Sequence, residues 1–74
     1  MERTEKQNEL LFKWGNFIQK VPTMTVTEGD KYLNRFIKQA YENFEPTEAD
    51  QLTLGWAMEY GKVTPSNPYG TLPF

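Results

Sequence analysis

Between Tyr32 and Phe44 the apolar residues fall at alternating steps of one and three: Tyr32, Leu33, Phe36, Ile37, Ala40, Tyr41 and Phe44. Only an α-helix brings residues so spaced onto one side, so the stretch predicts an amphipathic helix whose stripe must be buried against other elements. Lys31, Arg35 and Lys38 lie off the stripe and read as a solvated face. Thr27 suits the N-cap, with Glu28 and Asp30 in the first turn, where the helix dipole favours negative charge. Glu45-Pro46 closes the segment.

A buried stripe needs partners, and the flanking segments supply them. Thr4-Glu5-Lys6-Gln7 has the spacing of a capping box, followed by Leu10, Leu11, Trp14, Phe17 and Ile18 on one helical face. Val21-Pro22 ends that helix, and Thr23-Met24-Thr25-Val26 reads as a short extended link. Thr47 and Asp50 offer a cap and box for a third helix, and Gly61 a stop. Leu52, Leu54, Trp56, Met58 and Tyr60 alternate as in a strand, but Ala49, Leu52, Trp56 and Tyr60 also fit a helix, and the cap decides for helix. The expected fold is mostly α. It is a small three-helix domain over residues 1–61, with helices at about 4–20, 28–44 and 48–60. An extended Pro-containing C-terminal tail spans residues 62–74, in which Tyr69, Leu72 and Phe74 are apolar enough to pack back or dock elsewhere.

A chain of 74 residues buries a modest core, often reinforced by a disulfide, a metal or a partner. Cys and His are both absent, which excludes disulfides, leaves no ordinary zinc ligands and removes the common nucleophile and acid–base constellations. Gly15, Gly29, Gly55, Gly61 and Gly70 are scattered, so no phosphate-cradling loop is present. The expectation is a protein that is not an enzyme, takes no cofactor or metal, and binds another macromolecule. An aromatic content of 15% makes a homodimer one possibility. The polar start of the chain and the lack of any apolar run of about 18 residues lead to the expectation of a cytoplasmic protein without a membrane span.

Charge is divided. Residues 1–38 carry seven bases and five acids, whereas residues 39–74 carry Glu42, Glu45, Glu48, Asp50 and Glu59 against Lys62 alone. Acids near a helix start are ordinary capping chemistry; as a patch, these five would meet a basic surface. A helix-turn-helix drawn through the second and third helices would place Glu48, Asp50 and Glu59 in the recognition element, which argues against direct nucleic-acid binding.

Gln51-Leu52-Thr53-Leu54-Gly55-Trp56 resembles the hexapeptide by which bacterial polymerases and repair proteins grip the DNA sliding clamp. Gln51 matches its first position, Leu54 its fourth and Trp56 its last. Such peptides bind in extended form, and on a helix Leu52 and Trp56 would instead be core. Thr71-Leu72-Pro73-Phe74 resembles the Leu-Pro-Phe ending of some clamp-binding peptides. In kind, the chain resembles small acidic host-takeover proteins of bacteriophages, some of which inhibit the sliding clamp. That resemblance implies a function: binding the clamp in the host bacterial cytoplasm and blocking DNA loading or polymerase access. The peptide pocket would be filled through Gln51, Leu54 and Trp56 or through Leu72 and Phe74. The basic DNA channel would be met by Glu42, Glu45, Glu48, Asp50 and Glu59. A host RNA polymerase or defence nuclease as target, or a structural homodimer, are the alternatives.

Overall fold

A computed structural model describes residues 2–65; the expected tail lies outside them beyond Pro65, with Leu72 and Phe74. Three helices follow one another: α1 (Glu5–Lys20), α2 (Val26–Asn43) and α3 (Pro46–Val63). The mostly α, three-helix expectation holds, and residues 51–60 are helix.

The first helix starts as its sequence demands. The Thr4 hydroxyl accepts from the Gln7 N–H, and the Gln7 side chain accepts from the Thr4 N–H. After Lys20 the chain tightens into a 3₁₀ turn, Val21–Thr23, with Pro22 near its start, and the expected extended link shrinks to Met24 and Thr25, because Thr23 belongs to the turn and Val26 to α2. Pro22 lacks an N–H but is pre-set in φ for the start of a helical turn. Fully buried Val21 anchors the corner.

The cap of α2 is Thr25, not Thr27. The Thr25 hydroxyl accepts from the Glu28 N–H, and the Glu28 carboxylate accepts from the Thr25 N–H. Glu reaches back across the turn and satisfies two otherwise orphaned donors, which the shorter Asp30 opposite Thr27 does less well. The third helix also begins earlier than expected. Pro46 occupies its first turn, Glu45 stands at the N-cap without a side-chain bond, and the Thr47–Asp50 box does not form. The Asp50 carboxylate instead accepts from the Tyr41 hydroxyl of α2. Gly61 lies inside α3, which runs on to Val63 and stops at Thr64, a non-glycine residue at φ 25°.

The core is an aromatic slab. Leu10, Trp14, Phe17 and Val21 from the first half pack with Ala40 of α2, Phe44 just past its end, and Ala49 and Trp56 of α3. Trp14 and Trp56 stack with centroids 4.6 Å apart and planes 15° from parallel. Phe36 meets Trp14 edge-on at 5.3 Å, and Phe17 stacks on Tyr60 at 6.2 Å. Offset and edge-on pairs of this kind add about 0.5–1.5 kcal/mol each beyond area burial. Buried Ala40 and Ala49 allow α2 and α3 to approach closely. Tyr32 and Tyr41, assigned to the buried stripe by periodicity, sit at its edges, 39% and 47% exposed.

Candidate interaction surfaces

Glu42 ends the exposed side of α2; Glu45, Glu48 and Asp50 stand in the turn and first turns of α3, and all four are exposed. Helix α2 runs into α3 through a two-residue break at Phe44 and Glu45, so four acids separated in sequence gather at one end of the bundle. Arg3 is the one base paired with them among the described residues, at 4.0 Å from Glu48, with both side chains about half exposed. The Tyr41–Asp50 hydrogen bond holds one carboxylate against α2. Exposed Glu59 follows Asp50 by nine residues, about 13 Å along the axis and half a turn round it, and does not join the cluster.

The hexapeptide is divided by the helix that carries it. Gln51 and Leu54 are exposed, Leu54 by 66%, whereas Trp56 is 3% exposed and stacked on Trp14. Two residues apart on a helix is a rotation of about 200°, so Leu54 and Trp56 face opposite ways and cannot fill one pocket while α3 is intact. Met58, 61% exposed, joins Leu54 on the outer side of α3. No charged residue lies between Gln51 and Met58.

Two contacts at the α2–α3 seam escape sequence reasoning because they join different helices, and only the packing of α2 against α3 decides which residues meet. One is Tyr41 to Asp50. In the other, the Tyr60 hydroxyl donates to the Asp30 carboxylate at 3.2 Å. Burial, then the charge and hydrogen bond of Asp30, push the Tyr60 hydroxyl above its ordinary pKa of 10.0. On α1, Glu9 is held below the ordinary carboxylate value by its hydrogen bond to Lys13, one turn away at 2.8 Å.

Shallow cavities line the seam between α1 and α2. The widest, about 370 Å³, lies over Phe17, Met24 and Phe36 with Lys13, Lys20 and Tyr32 at its edges. None of the described helices is long and apolar enough to cross a membrane. The geometry thus defines a three-helix domain with an acidic end, an apolar outer stripe on α3 and a base-lined seam. No family model matches this sequence, and comparison with curated proteins and with solved structures returns no match.

Proposed function

We propose that this chain is a binding module whose acidic end docks on a basic surface of a protein partner, and that the partner is the bacterial DNA sliding clamp. The supporting observation is the gathering of Glu42, Glu45, Glu48 and Asp50, exposed and nearly without counter-charge, at the α2–α3 turn. A clamp encircles DNA and needs a basic inner wall. A compact acidic plug in that channel would keep DNA out and halt host replication. Trp56 belongs to the core, so the channel accounts for more of the molecule than the peptide pocket does.

The test is binding to immobilised purified clamp in rising salt. Reversing two exposed acids, Glu45→Lys with Glu48→Lys, should weaken binding about tenfold or more, and salt should weaken the wild type steeply, since exposed charges are screened within about 10 Å at 0.1 M. Leu54→Ala should leave binding unchanged. Loss of binding in Leu54→Ala alone would move the contact to the peptide pocket. A wild type that fails to bind the clamp would end the assignment. The exposed Leu54–Met58 stripe favours a second reading, a homodimer formed through the outer face of α3.

A further inference from the structure

Helix α1 carries Lys6, Lys13 and Lys20 at seven-residue intervals, and all three are exposed. Seven residues are nearly two turns, so the lysines form a row on one side at steps of about 10.5 Å, roughly 21 Å end to end. The row borders the seam with α2. Three cavities follow that seam, of about 230, 370 and 220 Å³, and Lys13 lines all three. Lys6 and Asn43 mark one end, and Lys20 and Met24 the other. The opposite wall carries Arg35 and Gln39, and Leu10, Phe17 and Phe36 contribute apolar floor. The Arg35 guanidinium lies 5.7 Å from the Tyr32 ring centre, which steadies it at the rim. Two acids touch the groove, and both are engaged: Glu9 with Lys13, and Glu28 with the Thr25 backbone and hydroxyl.

We infer that this α1–α2 groove is a docking site for an acidic, extended peptide segment of a partner protein, with carboxylates at every third residue and apolar side chains between them. In the extended polyproline II form a chain advances about 3.1 Å per residue with three residues per turn, so carboxylates three apart share one side and recur at about 9.3 Å, close to the spacing of the lysine row. Lys6, Lys20 and Arg35, with Lys13 shared with Glu9, leave the groove net positive and supply the charge complementarity, and the ring-lined floor takes apolar side chains, as peptide grooves do. A nucleic acid is the poorer fit. Its phosphates recur at much shorter intervals than the lysines, Glu9 and Glu28 stand on the rim, and the chain as a whole is charged −2. The groove is built from α1 and α2, whereas Glu45, Glu48 and Asp50 belong to the α2–α3 turn and α3, so the inference does not rest on the clamp assignment.

The probe is a fluorescein-labelled synthetic heptapeptide with Glu at the first, fourth and seventh positions and Leu or Phe between, titrated with the whole chain and read by anisotropy. Saturable binding is expected. Lys13→Glu with Lys20→Glu should weaken it about tenfold or more, and Glu45→Lys with Glu48→Lys should leave it unchanged. Replacing the three Glu of the probe by Gln should also weaken it. Both lysines are exposed, and helical circular dichroism checks that the double variant folds. In the ¹⁵N-labelled wild type, amide shifts on adding peptide should concentrate at Lys6, Lys13, Tyr32 and Gln39. Absence of saturable peptide binding overturns the inference, as does binding indifferent to the lysine reversals. So does tighter, lysine-dependent binding of a labelled single-stranded oligonucleotide, which would assign the groove to nucleic acid. Self-association abolished by the lysine reversals would also overturn it, by making a second copy the occupant.

Discussion

Gln7 does two things that the more common glutamate of a capping box could not do together. Its carbonyl oxygen accepts from the Thr4 N–H at 2.9 Å, and its amide nitrogen donates to the Asn43 carbonyl at 2.8 Å. The first bond starts α1. The second ties that start to the last residue of α2, satisfying one of the carbonyls a helix leaves unpaired at its end. Gln7→Glu keeps the cap but sets a carboxylate against a carbonyl oxygen and removes the donor. We expect a loss of about 1–3 kcal/mol, the cost of leaving a partly buried polar group unpaired, read as a lower denaturant midpoint at pH 7. Gln7→Met removes both the donor to Asn43 and the acceptor for the Thr4 N–H, so it should lose at least as much. Equal stability of Gln7→Glu and wild type would show that the Asn43 contact carries no weight. The indole N–H of Trp14 is a different case: it is buried with no acceptor among the described residues. The stack on Trp56 accounts for its place, because few other side chains cover so much area in so small a core.

At the scale of the helices, glycine separates those set by their own sequence from those set by packing. Gly15 in α1 and Gly55 in α3 have open space where a Cβ would project, so alanine at either position should stabilise by about 0.5–1 kcal/mol through helix propensity alone. Gly29 in α2 is buried, and a Cβ there would run into the Tyr60 hydroxyl and lie 3.2 Å from Pro65. Gly29→Ala should therefore destabilise despite its better propensity, because it displaces Tyr60 from Asp30 and from Phe17. Thermal melts of the three variants check this; a higher melting temperature in Gly29→Ala would show that the α2–α3 contact yields freely. The same contrast explains what could be read beforehand. Thr4 with Gln7, and the stripe of α2, announce themselves locally. The start of α2 does not, since Thr25 and Thr27 each have an acid three residues on, and only the reach of Glu28 decides between them. The range of α3 is ambiguous in sequence because apolar residues lie on every side of it, Leu54 and Met58 outside and Trp56 inside. The acids were legible as a list, but the separation of Glu59 needs the helix to be known. The lysine row had no partner until α2 was laid against α1.

Across the whole molecule, the aromatic faces that suggested self-association are spent on the core: Trp14, Phe17, Phe36 and Trp56 are in mutual contact. Among the described residues, apolar surface left for a second copy includes the lone ring of Phe12 on α1, 72% exposed, and the broader outer side of α3, where Leu54 and Met58 are exposed together with Ala57 and Gly61 small beside them. An antiparallel pairing of two α3 helices centred near Trp56 would set Leu54 against the second copy's Met58, and Lys62 near its acidic first turns. A parallel pairing would instead crowd the acidic ends together. Burying the exposed parts of four such side chains yields roughly 4–8 kcal/mol, against an association cost of about 4–15 kcal/mol. The pairing should thus be weak, with a dissociation constant on the order of 1 mM or above. Sedimentation equilibrium from about 10 μM to about 1 mM should show mass rising above monomer towards the top of that range. Leu54→Glu with Met58→Glu should hold it at monomer without loss of helix or of melting temperature, because neither side chain belongs to the core. A wild type that is monomeric throughout would remove the homodimer. A tight dimer that survives the double substitution would place the interface elsewhere, on a surface carrying more apolar area than α3 exposes.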